Sequence, residues 1–129
     1  IIMNLSTLFN NKDNYVKTSV EMRGEEFELF VKRKLTVSDN EYVTDNVPSN
    51  TESNDSKYII AMLVHMIHRS VKVKDEDNNL VEIDIDVIRE TFTIEELAAI
   101  VDKVNEVQGN KLLTTDEHKE EVEKDIKKK

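Results

Sequence analysis

Glu26–Thr36 reads EFELFVKRKLT, and its alternation decides the fold class. Phe27, Leu29, Val31 and Leu35 fall on one side of an extended chain. Glu26, Glu28, Lys32 and Lys34 fall on the other, with Phe30 the one apolar residue among them. Successive side chains of a strand point to opposite faces, so this pattern predicts a half-buried strand. The basic run Lys32-Arg33-Lys34 is divided by the alternation and has glutamates nearby. It reads as a solvated strand face rather than a phosphate-binding patch. Upstream, Tyr15–Met22 alternates in the same way, with Val16, Thr18, Val20 and Met22 on one side. Arg23-Gly24-Glu25 lies between, and Gly24 takes a positive φ at little cost, so the two runs predict a β-hairpin.

Beyond this hairpin the chain is mostly helical in pattern. Ser38-Asp39-Asn40-Glu41 has the form of a capping box and predicts a short helix or turn. Asn46–Asp55, which holds the only proline, Pro48, reads as a flexible polar loop. Lys57–Ser70 predicts a helix whose Ile59, Ile60, Met62, Leu63, Val64, Met66 and Ile67 cover roughly 200° of its circumference. A band that wide predicts burial on two sides, one by the sheet and one by a second layer or a partner subunit. Val71–Lys74 and Leu80–Glu82 pair as a second small hairpin. Asp84 caps a short helix containing Ile85, Val87, Ile88 and Phe92. Thr93-Ile94-Glu95-Glu96 is another capping box, opening a helix through Leu97, Ile100, Val101, Val104 and Val107 that Gly109 ends. The expected fold class is α+β, with an N-terminal hairpin packed on a mostly helical C-terminal half. Residues 1–110 are read as one domain and 111–129 as a polar, helix-prone tail.

Composition narrows the function. The 129 residues include no cysteine, which excludes disulfides, thiolate metal sites and cysteine nucleophiles. No run of apolar residues is long enough to span a bilayer, and no signal-peptide pattern opens the chain, so a soluble intracellular protein is expected. The net charge is −9. Residues 75–106 hold eleven acids against Arg89 and Lys103, which accounts for the whole excess, 11 − 2 = 9. That concentration disfavours direct binding of nucleic acid.

No cofactor or metal is expected. Asp75-x-Asp77-x-Asn79 starts like a calcium loop, but Leu80 stands where glycine is needed and Asp86 where a bidentate glutamate is needed. His65 and His68 fall three apart on the polar side of their helix with Ala61 and Arg69, without a third ligand, and read as surface or interface histidines. Gly24 and Gly109 are the only glycines, so no glycine loop can cradle a phosphate. No serine sits in a nucleophile elbow, and no enzyme is expected. Tyr58, Met62 and Met66 lie at one edge of the apolar band. Methionine there suits ordinary core filling, or a groove for varied apolar partners. Phe30 is a further partner-binding candidate on the outward strand face.

The order of elements resembles the tail assembly chaperones of long-tailed bacteriophages with non-contractile tails. Phe27, Leu29, Val31, Arg33, Leu35 and Thr36 are similar to the family's strand pattern F-x-V-x-R-x-L-(S/T). The acid-bearing helix start Ser38–Glu41, the apolar helix Met62–Val71, the acidic turn Asp75-Glu76-Asp77-Asn78 and the last helix Leu97–Asn110 come in the family's order. Asn78 replaces the usual glycine, Gly109-Asn110 reverses the usual order, and the Asn46–Asp55 loop is longer. The resemblance covers roughly residues 15–110. It implies a non-enzymatic protein of the host cytoplasm that binds the tape-measure protein, keeps it soluble and helps tail-tube protein assemble around it. It also implies a homo-oligomer, with neither nucleic acid nor membrane as partner. Self-association would run through the Tyr58–Val71 helix. Alternatives are a structural tail or head–tail joining protein of the virion, and an acidic protein-binding or inhibitor module.

Overall fold

The structure, a computed structural model, describes residues 2–10, 14–47 and 56–109. Most of the expected polar loop and all of the expected C-terminal tail lie outside them. A short 3-10 turn (Leu5–Asn10) precedes β1 (Tyr15–Met22) and β2 (Glu25–Lys32). Helices α1 (Val37–Asn46) and α2 (Ser56–Ser70), strands β3 (Val71–Lys74) and β4 (Leu80–Glu82), and helices α3 (Ile85–Thr91) and α4 (Ile94–Gln108) come next. The strands form one antiparallel sheet in the order β1-β2-β3-β4. This is an α+β fold. The second hairpin is not separate from the first: Phe30 pairs with Lys72 and Val31 with Val71, which joins them.

The β1–β2 turn places Arg23 at φ 54° and Gly24 at φ 79°. Two successive positive φ values make the mirror-image turn whose twist matches that of the flanking strands. Gly24 adopts this freely, whereas Arg23 adopts it at a cost. The Arg23 side chain reaches across the molecule to Glu96 and the Thr91 carbonyl.

Helix α4 covers the inner face of β1 and β2. Its Thr93 cap forms as expected: Glu96 N donates to Thr93 Oγ1 at 3.1 Å, and Thr93 N donates to Glu96 Oε1 at 3.0 Å. Gly109 ends it at φ 69°. Helix α2 is packed on two sides, and a second layer of helices takes the larger share. It lies against α1, α3 and α4 and meets the sheet mainly at β3, because α4 already occupies the hairpin's inner face. The core joins Val20, Leu29 and Val31 of the hairpin to Leu63, Val64 and Ile67 of α2 and to Leu97, Ile100, Val101 and Val104 of α4, with Val71 and Ile88 completing it. Each such side chain contributes about 1.5–3 kcal/mol when fully buried.

Three local expectations are corrected. The β2 strand stops at Lys32 rather than running to Leu35. There the chain bends, and Gln108 Nε2 donates to the Lys32 carbonyl at 3.2 Å while Lys34 Nζ donates to the Gln108 carbonyl at 2.9 Å. These bonds clamp the end of β2 to the end of α4 and satisfy a carbonyl left open at the helix terminus. Second, α1 is capped by Thr36 with Asp39, not by Ser38 with Glu41. Third, Lys32 is not on a solvated face. It is 7% exposed, against a fully buried Asp39. Asp39 decides both of the last two, since its carboxylate serves the cap and Lys32 together.

Candidate functional site

Two sites stand out at opposite ends of the β1–β2 hairpin. At the turn end, the inner sheet face and the α3–α4 junction leave an apolar cleft of about 310 Å³. Val20, Met22, Phe27 and Leu29 line one wall, Val71, Val73 and Ile83 a second, and Phe92 and Ile100 a third. Alternation explains the strand walls, since all of these strand residues point inward. Phe27 is 41% exposed there, far more than an inward aromatic in a closed core would be. Its ring edges the mouth of an open space.

A two-pronged ion pair spans the rim. Arg23 Nε and Nη2 donate to the two Glu96 oxygens at 2.8 and 2.9 Å, and Nη2 also donates to the Thr91 carbonyl at 2.7 Å. Paired geometry of this kind is among the more specific charge-assisted contacts. The hydrogen bond from Arg23, with help from the Thr93 backbone, holds the Glu96 carboxyl down at about 2. Glu28 at the rim pairs with Lys17 at 3.2 Å. Glu25, Glu26, Asp84, Glu90 and Glu95 are sequence neighbours of rim residues, and all are exposed.

At the other end, Asp39 collects donors. Lys32 Nζ lies at 2.8 Å, Arg69 Nε at 2.7 Å, and the Thr36 N–H and hydroxyl at 2.8 and 2.9 Å. Burial alone would raise the Asp39 pKa. The hydrogen bonds from Lys32, Thr36 and Arg69 outweigh it and hold the carboxyl at about 2. Around this hub, Tyr42 packs on His65 and His68 with ring centroids 5.7 and 5.9 Å away, and Arg69 sits 5.3 Å from the Tyr42 ring centre. The Tyr42 hydroxyl is 3.2 Å from His65 Nδ1, and His68 Nδ1 donates to the Ile83 carbonyl at 2.7 Å. Burial lowers the His65 pKa, helped by Arg89 and His68. His65 and Ala61, expected on a polar face, are therefore corrected to buried positions, because α1 covers that side of α2. Among the described residues, no group of three potential metal-ligating side chains comes together. Asp75 Oδ1 instead accepts from Asp77 N and Asn79 N, both at 2.9 Å, as an acidic turn.

No family model, curated protein or solved structure matches the chain.

The partner-binding candidates occupy two other places. Tyr58, Met62 and Met66 share one side of α2 and are half-buried, with Ile59 exposed beside them and Met66 packed against the core. Phe30 is half-buried on the outward sheet face. It stands opposite Lys17 and Lys72, and Lys74 Nζ is 5.3 Å from the centre of its ring. None of the four lines the cleft. The cleft was missed by sequence reasoning because only tertiary packing brings Phe92 and Ile83 against Phe27. The legible part of its signal was Phe27 itself, a large aromatic near the turn end of the hairpin.

Proposed function

We propose that the chain is a tail assembly chaperone that binds the tape-measure protein, keeps it soluble and assists tail-tube assembly without catalysing a reaction. The observation that carries this reading is the open apolar cleft with acidic surroundings at the hairpin turn. A long helical chain with exposed apolar stripes needs its side chains covered, and a cleft of this size admits a large apolar side chain. The acidic surroundings keep the loaded complex soluble and favour a partner segment with basic residues beside its apolar ones. The α2 edge, with Tyr58, Met62 and Met66, and Phe30 on the sheet offer further apolar contact. The tail-tube protein is a second proposed partner, and the host cytoplasm the proposed compartment. No helix among the described residues is long and apolar enough to cross a membrane.

The test is co-expression with a tape-measure fragment encoded beside this gene. A soluble complex is expected, and Phe27→Asp should release the fragment into the insoluble fraction. The pair Met62→Asp and Met66→Asp asks the same of the α2 edge. If neither variant changes the solubility of the fragment or the size of the complex, the reading fails. Stoichiometric recovery of this chain from mature virions would replace it with a structural role.

A further inference from the structure

The open edge of the sheet carries an inference that does not depend on the chaperone reading. Among the described residues strand β1, eight residues long, lies at the edge of the sheet, and its register with β2 is unbroken from Tyr15↔Lys32 to Met22↔Glu25. It contains no proline and no bulge, two of the devices that keep an edge from pairing, and its charges are Lys17 and Glu21 alone. The two-residue turn makes Met22 and Glu25 the closing hydrogen-bonded pair, so Val20, Thr18 and Val16 also direct their N–H and C=O groups to β2. The bond from Arg33 N to the Asn14 carbonyl, 2.9 Å, continues that phase. Lys17, Ser19 and Glu21 therefore direct their backbone groups away from β2, along the open edge.

The charges on this strand match a second copy of it. We propose that two copies of the chain pair through β1, antiparallel about a two-fold axis at Ser19, into one continuous sheet. In that register Ser19 faces Ser19 of the second copy, and Lys17 faces Glu21 in both directions. All three are residues whose backbone groups point outward, so the ladder is in phase. Thr18 then faces Val20, and Val16 faces Met22, on the inner side. Within one copy, Glu21 stands directly opposite Glu26, and Glu28 is two residues along. Like charges directly opposite are unfavourable. Lys17 of a second copy arrives at that cluster and relieves it. Its side chain is 67% exposed and makes a surface contact to Glu28. A register centred on Thr18 lacks this match, since it sets Lys17 against Ser19 and Glu21 against Tyr15. The small Ser19 side chain suits the axis, where two copies of one residue must meet.

Sedimentation equilibrium of the full chain tests the proposal. A dimer is expected, with Lys17→Glu or Glu21→Lys weakening it by about tenfold because two opposed pairs become repulsive in each dimer. The double variant Lys17→Glu with Glu21→Lys should recover the affinity, which a fold defect would not do. The chain has no cysteine, so Ser19→Cys gives one thiol per copy. Residues opposite one another in a hydrogen-bonded pair have Cα atoms about 5.5 Å apart, within disulfide reach, so mild oxidation should yield a covalent dimer. A monomeric wild-type chain, a dimer indifferent to both single reversals, or cross-linking by Thr18→Cys in place of Ser19→Cys would overturn the proposal.

Discussion

The two ends of the β1–β2 hairpin solve opposite problems with the same chemistry. Each has an arginine–carboxylate pair. At the Asp39 end the carboxylate is fully buried and its donors fill its lone pairs. At the turn end the Arg23–Glu96 pair is open to water on the arginine side and stands over an apolar space. A buried, saturated ion cluster makes the structure intolerant of losing any one partner. An exposed pair beside an open cleft contributes little to stability and leaves the cleft accessible. The first end sets the fold, and the second presents an open apolar surface.

The contrast can be broken most sharply at Asp39. Asp39→Ala leaves Lys32 buried and Arg69 half-buried without their counter-charge, and should cost about 3–5 kcal/mol in urea unfolding. A loss under about 1 kcal/mol would show that the hub is not the anchor described. Acid provides the next test. The Asp39 carboxyl titrates lower in the folded chain, about 2, than its ordinary 3.8. Its contribution, about 2 kcal/mol, is therefore full above the ordinary value and is lost as pH falls toward 2. Unfolding midpoints at about pH 6 and about pH 2.5 should diverge in the wild type, with that share of the slope missing from Asp39→Ala. Glu96, also held at about 2, adds to the same acid window, so Glu96→Gln provides the matching control.

Gly109→Ala forces a side chain into the left-handed conformation that ends α4 and should cost about 1 kcal/mol by thermal unfolding. Phe27→Asp should also cost about 1 kcal/mol, since the ring is 41% exposed and only partly covered. Its expected effect is on partner binding, where Asp39→Ala variants that remain folded should bind normally. If the two variants exchanged these behaviours, the division of labour between the ends would be wrong.

How much of this was legible depended on whether a signal is local. The second hairpin, the Thr93 box and Gly109 all announce themselves within a few residues, and the structure has them where they were expected. Lys32 was misplaced because its partner Asp39 lies across a chain bend and the second cation, Arg69, comes thirty residues after Asp39. The local rule favours Ser38-x-x-Glu41, yet the structure caps the helix with Thr36 and Asp39. The choice depends on what else the acid can reach: Asp39 gains two cations, while Ser38 is left to accept from Arg69 Nη2 at 3.2 Å. The cleft was illegible for the same reason. Its strand wall is set by alternation, but the wall that leaves it open comes from how α3 meets α4.

The clamp between Lys32, Lys34 and Gln108 has a consequence for the order of events during synthesis. The hairpin precedes the helices along the chain, and its two strands are joined by a turn of only two residues. The helix that covers Val20, Leu29 and Val31 is the last element described, and the bond that locks it spans 76 positions. Contacts so distant in sequence form slowly, so the growing chain carries an uncovered apolar sheet face until α4 is complete. The sheet face made early is sealed late.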